Sequence, residues 1–489
     1  MNKSNDRKSI LQSDNNIVVS AGAGSGKTTI LTQKIIDDIS RNRTHYKIAA
    51  ITFTTKAANE IKNRLHGKYI GNFIGTNDSF VECEIIRPFL KDAYGCDFSN
   101  DFNVTYTEEK FNSYDNGLEI LRLKKMLASY NDNKKNFKFQ LALNILKKSK
   151  VAEQYIIARY SRIYIDEYQD CDIDMHKLFM YINELGVKLF IVGDVKQSIY
   201  VWRGANPEQF KELLKNEAEF EIYELNENFR CCQDIQNYSN VLEYKDLSCY
   251  VDNGKSSNVI GVTNYDYLKY LDLNEETTIL VRTNNEAENL ENELYSLGYN
   301  FIFIPRNPLD DLGTSNKNIL VELAKYTKNS RYTHFDFINN IPGEFDRKEK
   351  DRLKQIMSGL KENLDKSYIE NVLIELFKYI GLTFNEIKEI NAFIKAVTNK
   401  KYENSFNGKE FKHRIITVHS AKGLEFKQVV IFSRNYQIYL NRHKQEHYVA
   451  TTRAKEKLII CLDDDNYLKY IQGICKKINI NINQIINIV

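Results

Sequence analysis

The chain has 489 residues, of which 42% are hydrophobic and 27% are charged. At roughly 150 residues per domain, this length predicts about three domains and excludes a single small module. The 68 Lys and Arg residues nearly balance the 65 Asp and Glu residues, so the net charge is only +3. A basic field over the whole surface is therefore excluded, and a nucleic-acid site would have to be a local groove.

Apolar segments and cysteine spacing exclude further classes of protein. The sequence has no apolar run near the roughly 18 residues that a membrane span needs, and its first residues lack the apolar core of a signal peptide. Eight cysteines are scattered along the chain without a C-x-x-C pair, which indicates ordinary thiols and not a zinc site. We expect a cytoplasmic protein with no membrane partner.

Short apolar segments followed by helical spacing recur in two series. Residues 16–37 contain a β-branched strand, a glycine-rich turn and a helix, and similar strand candidates follow at 47–53, 162–167 and 188–194. This is the pattern of a parallel sheet covered by helices. The second series of strand candidates lies at 277–282, 414–420, 428–433 and 457–463. The sequence therefore predicts an α/β protein with two parallel-sheet cores.

Two helical, Lys-rich stretches interrupt these series, at 87–158 and at 300–412. Residues 478–489 alternate apolar and polar side chains, which is typical of an edge strand but also of a low-complexity tail. We predict four parts: a first core at 1–86 and 159–225, its helical insertion at 87–158, a second core at 226–299 and 413–489, and a reduced helical insertion at 300–412.

The glycine-rich turn after the first strand carries a phosphate-binding pattern. Its glycines let backbone amides curl around phosphate oxygens, Lys27 neutralises the β- and γ-phosphates, and the Thr28 hydroxyl ligates Mg²⁺. The strict pattern has Gly where Ala21 stands. A turn without a ligand is the alternative, but Gly, Lys and Thr in register between a strand and a helix disfavour it. The predicted nucleotide-binding residues of this loop are Ala21, Gly22, Ala23, Gly24, Ser25, Gly26, Lys27, Thr28 and Thr29.

Two acids end a later strand, Asp166 and Glu167. A strand-end carboxylate beside a phosphate loop can hold Mg²⁺, and an adjacent Glu can polarise water for attack on the γ-phosphate. Alone, such a pair is more often a solvated turn. In combination with the phosphate loop, it predicts Asp166 as a Mg²⁺ ligand and Glu167 as a catalytic residue.

A third block, residues 193–205, joins polar and aromatic groups on one loop after a strand. Gln197 is a candidate sensor of the γ-phosphate, while Tyr200 and Trp202 can stack on bases, which offer a π-face whatever their sequence. The alternative for Trp202, the single tryptophan, is a core aromatic beneath the loop. From the residues alone, the three blocks predict a Mg²⁺-dependent nucleoside triphosphatase with a phosphate loop.

Further blocks identify the kind of triphosphatase by resemblance. The additional blocks lie at 52–58, 75–80, 228–230, 417–426 and 448–454. Together with the three blocks above, they resemble the motifs of UvrD/Rep/PcrA-like superfamily 1 DNA helicases, in the same order, over residues 20–455. The resemblance implies two RecA-like cores that hydrolyse ATP or dATP with Mg²⁺. It also implies translocation on single-stranded DNA, or unwinding of DNA, in the 3′ to 5′ direction.

The resemblance also implies roles for matching residues. Five residues of the first core match family residues that bind ATP and Mg²⁺ or act in hydrolysis: Lys27, Thr28, Asp166, Glu167 and Gln197. Arg230 and Arg453 match arginine fingers that reach the γ-phosphate from the second core. Glu425 matches an acid on the ribose, and Phe229 matches an aromatic stacked on adenine. The matches to the single-strand track are Phe53, Thr54, Tyr200, Trp202 and His419.

Two departures from the family pattern leave questions open. In the family, a glutamine before the phosphate loop hydrogen-bonds to adenine. The spacing places its counterpart near Ser9, and Gln12 is out of register, so the sequence leaves the selectivity for adenine open. The insertion at 300–412 is shorter than in full-length helicases, and we expect no nuclease domain in this protein. A regulatory DNA-end sensor that activates a nuclease with little unwinding is therefore the main alternative. A nucleotide kinase is disfavoured because it needs neither the second core nor the stacking aromatics.

Three stretches, at 136–149, 226–240 and 446–455, also resemble the GajB family of helicase-like subunits from bacterial Gabija anti-phage systems. This resemblance implies a role in antiviral defence. It also implies a hetero-oligomer with the OLD-family ATPase/TOPRIM nuclease subunit GajA, acting on phage DNA.

Overall fold

The computed structural model describes residues 3–65, 67, 71–105, 109–252, 257–262, 264–312, 316–341, 345–382, 386–407 and 411–489. The chain divides into two compact units, Met1–Arg230 and Cys231–Val489. The prediction of an α/β protein with two parallel-sheet cores is confirmed, because each unit has a parallel sheet of its own. Within the described ranges, no helix is both long enough and apolar enough to cross a membrane.

The first unit is built on a sheet in the order β10-β1-β9-β8-β2-β3, whose pairs are parallel. Ile17, Val18 and Val19 are each fully buried. Since consecutive strand residues point to opposite faces, both faces of the sheet are covered. The strands of the unit are β1 (Ile17–Ala21), β2 (Lys47–Thr52), β3 (Phe73–Thr76), β4 (Asn103–Val104), β5 (Lys110–Phe111), β6 (Met126–Leu127), β7 (Ser129–Tyr130), β8 (Tyr160–Ile165), β9 (Lys188–Gly193) and β10 (Glu221–Leu225).

The helices of the first unit cover this sheet and form most of the segment between β3 and β8. In chain order they are α1 (Lys3–Gln12), α2 (Lys27–Arg41), α3 (Thr55–Arg64), α4 (Asn77–Val81), α5 (Arg87–Tyr94), α6 (Tyr114–Lys124), α7 (Phe137–Lys148), α8 (Lys150–Arg159), α9 (Ile173–Glu184) and α10 (Pro207–Leu213), with a π-helical turn at Glu82–Ile86. The short strands pair as β4-β6 and β5-β7.

The helical segment of the first unit packs directly onto its core. Phe139 of α7 lies 6.4 Å from Phe179 of α9, measured between ring centroids. The backbone N–H of Asn136, just before α7, donates to Asp174 Oδ2 at 2.8 Å. One hydrophobic cluster runs from sheet residues such as Val18 into this segment. The segment is therefore fixed to the core and is not a separately packed body.

The second unit has a parallel sheet in the order β13-β14-β12-β15-β16-β11-β17. Its strands are β11 (Val259–Val262), β12 (Thr277–Val281), β13 (Ile302–Phe303), β14 (His413–Thr417), β15 (Phe426–Phe432), β16 (Ala454–Cys461) and β17 (Asn487–Ile488). Of residues 478–489, only Asn487–Ile488 form an edge strand, since β17 pairs there with β11, whereas Ile482–Gln484 form a 3-10 helix.

The insertion between β13 and β14 has its own apolar core. Leu320, Leu373 and Phe393 are fully buried in a cluster made of residues from this insertion. The helices of the unit are α11 (Gln233–Tyr244), α12 (Asn284–Ser296), α13 (Lys317–Lys328), α14 (His334–Asn340), α15 (Arg347–Met357), α16 (Lys366–Tyr379), α17 (Glu386–Thr398), α18 (Glu403–Asn407), α19 (Val418–Ala421), α20 (Lys444–Thr451) and α21 (Asp465–Lys477).

Candidate active site

The strand order of the first unit gathers its predicted site residues at one edge. β1, β9, β8 and β2 are consecutive neighbours in the sheet, and all four are parallel, so their carboxyl ends meet at the same edge. The segments that leave these ends are the phosphate loop, the loop with Gln197, the acid pair and the turn with Phe53. Topology therefore places side by side four motifs that are far apart in sequence.

The phosphate loop is closed by its own lysine. Lys27 Nζ donates to the carbonyl oxygens of Ala21 at 3.0 Å and Gly22 at 3.2 Å. Gly24 and Gly26 have φ of 70° and 81°, a left-handed conformation that favours glycine. Gly26 is also the N-cap residue of α2. The loop thus presents a cation and a helix N-terminus to the same concavity, which suits an anion.

The segment with Phe229 packs on this loop. The Phe229 N–H donates to the Gly24 carbonyl at 2.9 Å, and Asn228 Oδ1 accepts from the Arg230 N–H at 2.8 Å. A Cβ at Gly24 would collide with Asn228 Oδ1 and with the Cβ of Arg230, so a larger residue there would displace this segment. The Phe229 ring is 70% exposed. Residues 226–230, which we predicted to begin the second core, contact the phosphate loop, and the first compact unit extends through Arg230.

Arg7, on α1, is a further residue of this site that none of the sequence motifs predicts. Its Nη2 donates to the Ser25 carbonyl at 2.5 Å, its Cζ lies 5.3 Å from the centroid of the Phe229 ring, and its Nε lies 3.9 Å from Glu227 Oε2. Arg7 therefore connects α1, the phosphate loop and the Phe229 segment. No sequence signal marks it, because all three contacts depend on how distant segments pack.

The acid pair is buried where β8 ends. Asp166 is 3% exposed, and its Oδ1 accepts the Glu167 N–H at 3.0 Å. Burial and the neighbouring Glu167 charge raise the pKa of Asp166 to about 7, while Lys27 opposes the shift. Glu167 has φ of 55°, in the left-handed region that non-glycine residues rarely adopt.

This environment fits a Mg²⁺ ion that arrives with a nucleotide. The charged form of Asp166 is destabilised by burial and by Glu167, and a divalent cation would stabilise it. In the part of the chain that the structure describes, no group of three or more His, Cys, Asp or Glu side chains could hold a metal ion. Mg²⁺ usually takes one or two carboxylates and completes its shell with water and phosphate oxygens. A single buried carboxylate beside the phosphate loop matches that requirement.

A chain of hydrogen bonds joins the acid pair to the loop after β9. Gln169 Nε2 donates to Glu167 Oε2 at 2.5 Å, and Gln169 Oε1 accepts the Asp194 N–H at 2.8 Å. Asp194 Oδ2 in turn accepts from Gln197 Nε2 at 2.7 Å. The sequence motifs predict roles for Glu167 and Gln197 but none for Gln169. The motif spacing does not show that its amide spans two loops.

The predicted stacking residues of the first unit differ in exposure. Trp202 is 60% exposed, so the alternative of a core tryptophan is wrong. The Arg203 Cζ lies 4.5 Å from the Trp202 ring centroid and 5.6 Å from that of Tyr200. Phe53 is partly buried against the core. Thr54 Oγ1 accepts the Ala57 N–H at 3.2 Å and caps α3, so its hydroxyl has a structural partner.

In the second unit, Glu425 and Arg453 precede the paired strands β15 and β16, in which Phe426 is opposite Ala454. Glu425 Oε1 lies 3.0 Å from Lys455 Nζ. Arg453 is 1% exposed, and its guanidinium donates to the carbonyls of Val449 and Leu424, each at 3.0 Å. The structure therefore brings Glu425 and Arg453 together at the beginnings of two adjacent strands.

The third predicted site residue of this unit lies on another element. His419 follows the end of β14 and is half-buried on α19. Thr417 begins this short helix, since its Oγ1 accepts the Ser420 N–H at 3.3 Å. His419 thus leaves the carboxyl end of a strand, whereas Glu425 and Arg453 stand before the amino ends of theirs.

Comparisons with known proteins agree with this arrangement. Residues 7–203 match the model of an AAA domain, and residues 412–461 match that of the UvrD-like helicase C-terminal domain. Gabija protein GajB of Bacillus cereus (strain VD045) is 48% identical, with 97% of this chain and 98% of the relative aligned.

More distant relatives also align over nearly their whole length. DNA helicase II of Rickettsia typhi is 22% identical, with coverage of 94% of this chain and 91% of the relative. ATP-dependent DNA helicase Rep of Buchnera aphidicola subsp. Schizaphis graminum is 24% identical, with 90% of each chain covered. The site geometry, the two family models and the full-length similarity lead to one conclusion: this chain belongs to the GajB family of UvrD-like helicases.

Proposed function

We propose that this chain is a DNA-dependent ATPase that translocates on, or unwinds, DNA in the 3′ to 5′ direction. The observation that carries the proposal is the meeting of the phosphate loop, the acid pair and Gln197 at one sheet edge, with the exposed Trp202 on the same loop as Gln197. A nucleotide site and a stacking surface on one loop provide a direct route by which DNA can influence hydrolysis.

Each site residue has a role in this proposal. Lys27 binds the β- and γ-phosphates of ATP or dATP, while Thr28 and Asp166 hold Mg²⁺. When bound, that ion supplies positive charge for the phosphate oxygens. The Glu167 carboxylate orients the attacking water and accepts its proton, and Gln197 senses the γ-phosphate. Arg453 and Arg230 donate to the charge that develops on the transferred phosphoryl group.

We further propose that the nucleotide and DNA are held by aromatic and polar contacts. Phe229 is exposed beside the phosphate loop, where it can stack on the base, and Glu425 can accept a hydrogen bond from the ribose. Bases of single-stranded DNA stack on Phe53, Tyr200 and Trp202, with His419 on the same track.

The biological role that we propose is anti-phage defence in the bacterial cytoplasm. The Bacillus cereus relative is a Gabija protein and is similar over nearly its entire length. We infer that the partner of this chain is the OLD-family ATPase/TOPRIM nuclease subunit GajA, in a hetero-oligomer that acts on phage DNA. The alternative is a DNA-end sensor whose ATP turnover activates the nuclease with little unwinding.

The test is ATP hydrolysis by the purified chain, with and without oligo-dT. We expect stimulation by the oligonucleotide, and loss of hydrolysis in Lys27→Ala but not in Lys177→Ala, a variant of an exposed lysine on α9. Equal rates with and without DNA would contradict the proposal. Strand displacement from duplexes with a 3′ or a 5′ tail then separates the two candidates. Release from 3′-tailed duplexes supports a helicase, whereas DNA-stimulated hydrolysis without release favours the sensor.

A further inference from the structure

The side chain of Gln169 is a completely buried amide between two loops of the first unit, with 0% exposure. Its Nε2 donates to Glu167 Oε2 at 2.5 Å, and its Oε1 accepts the Asp194 N–H at 2.8 Å. A carboxylate oxygen can only accept, and a backbone N–H can only donate. The amide therefore has one possible orientation, and a neutral side chain with both a donor and an acceptor is needed.

The packing around this amide leaves little room for it to move. Gly193 has no side chain, and a Cβ there would lie 2.8 Å from Gln169 Oε1 and 2.8 Å from Phe210. Ser198 Oγ donates to the Gln169 carbonyl at 3.2 Å, so the main chain of this residue is also fixed to the loop after β9. Gln169 is thus held at its side chain and at its backbone by the same neighbouring loop.

Glu167 needs such a support. Its φ of 55° lies in the left-handed region, which a non-glycine residue keeps only where the surrounding structure holds it there. The Gln169 amide holds the end of the side chain, while Glu167 O accepts the Asp170 N–H at 2.9 Å. The hydrogen bond to Gln169 therefore fixes a carboxylate whose backbone is in an unfavourable conformation.

On the other side, Gln169 reaches the loop with Gln197 and Trp202. Its partner Asp194 binds Gln197 Nε2 at 2.7 Å and the Lys196 N–H at 3.1 Å through its two carboxylate oxygens. Asp194 is 2% exposed and Gln197 is 4% exposed. A displacement of this loop would therefore be transmitted through rigid, buried hydrogen bonds to the carboxylate of Glu167.

We propose that Gln169 is a positioning residue, which aims the Glu167 carboxylate at the attacking water and links it to the DNA-responsive loop. This rests on the proposed function, because it requires that Glu167 acts in ATP hydrolysis. Gln169 does not contact the phosphate loop through either hydrogen bond of its side chain. Its loss should therefore reduce kcat and the stimulation by DNA, and leave KM for ATP nearly unchanged.

The experiment compares Gln169→Met and Gln169→Glu with the unmodified chain in ATP hydrolysis, with and without oligo-dT. Met keeps the length but has no donor, and Glu keeps the acceptor for Asp194 but puts a second acceptor against Glu167. We expect kcat with DNA to fall about 10- to 100-fold in both, the size of effect that misplacement of a reacting group produces. KM for ATP should stay within about twofold.

A matched control is available in the second unit. Gln428 is 3% exposed, its Nε2 donates to the Asp272 carbonyl at 2.8 Å, and its Oε1 accepts the Asp272 N–H at 3.0 Å. Gln428→Met removes an equally buried amide at the amino end of β15. It should lower the melting temperature but leave kcat and the stimulation by DNA unchanged.

The double variant Glu167→Gln with Gln169→Met tests whether Gln169 acts through Glu167. We expect it to hydrolyse ATP no more slowly than Glu167→Gln alone. Normal kcat in both Gln169 variants, or an equal further loss in the double variant, would overturn the positioning role. If one variant does not fold, the other gives the result. Absence of ATP hydrolysis by the unmodified chain would instead contradict the proposed function.

Discussion

Arg453 Nη1 donates to the carbonyl oxygen of Leu424 at 3.0 Å. This bond joins Arg453, just before β16, to Leu424, just before Glu425. We propose that Glu425 contacts the ribose. Arg453 also donates from Nε to the Val449 carbonyl at 3.0 Å. The proposed arginine finger is thus engaged with main-chain oxygens of its own unit, and it would have to exchange them for phosphate oxygens during catalysis.

Arg453→Ala should reduce the rate of ATP hydrolysis by about 10³- to 10⁵-fold, the contribution of arginine fingers in related triphosphatases. The affinity for ATP should change little, because the guanidinium acts on charge that develops in the transition state. The variant should also lose about 1 to 3 kcal/mol of stability, since two carbonyls lose their donor. Single-turnover hydrolysis at saturating ATP measures the first effect, and urea unfolding measures the second.

Arg453→Lys is the control for charge, because it keeps the cation and loses the forked geometry. A normal rate at saturating ATP in Arg453→Ala, together with a collapse of ATP affinity, would identify Arg453 as a clamp on the ground state. The proposed role in the transition state would then be wrong.

Lys27→Ala should abolish ATP hydrolysis, because backbone amides alone do not offset the phosphate charge. Glu167→Gln should bind ATP normally and hydrolyse it only at a low residual rate, since an amide cannot accept the proton of the attacking water. Binding of a fluorescent ATP analogue and release of phosphate distinguish the two. Substantial turnover by Glu167→Gln would show that another group positions the water.

Trp202→Ala should weaken binding of single-stranded DNA by about 1 to 3 kcal/mol, with little dependence on base sequence. Because the ring is 60% exposed, the melting temperature should hardly change. Quenching of its fluorescence by oligo-dT and anisotropy titration of labelled DNA measure the effect. Tyr295→Ala, which removes an aromatic that is 77% exposed on α12, is the matched control. Unchanged DNA affinity in Trp202→Ala would refute stacking.

His447 should make the stability of the second unit depend on pH. It is 5% exposed, its Nε2 lies 2.6 Å from Tyr467 Oη, and burial lowers its pKa to about 3. Between about pH 6.5 and pH 3, His447 is protonated in the unfolded chain but not in the folded one. The free energy of unfolding therefore decreases as the pH falls, by about 1.4 kcal/mol per pH unit from this residue.

Urea unfolding at pH 7 and pH 5 checks this prediction. His447→Gln cannot titrate, so its loss of stability between the two pH values should be smaller than that of the unmodified chain by about 2 kcal/mol. His45→Gln changes an exposed histidine and should leave the pH dependence as it is. The same pH dependence in all three chains would show that His447 is protonated in the folded state.

The local sequence pattern was sufficient to predict much of the structure of the first unit. The strand at Ile17–Ala21, the left-handed Gly24 and Gly26, and the acids that follow β8 are consequences of short-range chemistry: β-branched runs, glycine conformations and strand ends. Parallel strands then bring their carboxyl ends to one edge, so the grouping of Lys27 with Asp166 follows from sequence once the sheet is inferred.

Tertiary structure decided which side chains support that edge. The bridge from Glu167 through Gln169 to Asp194, the contact of Arg7 with Ser25, and the packing of Phe229 on Gly24 each join segments that are separated in sequence. The sequence did not decide whether Trp202 is buried or exposed, because an aromatic residue on a loop has the same local sequence pattern in both cases. Its exposure, like the burial of Gln169, depends on strand order and on the closeness of neighbouring loops, which residue spacing does not encode.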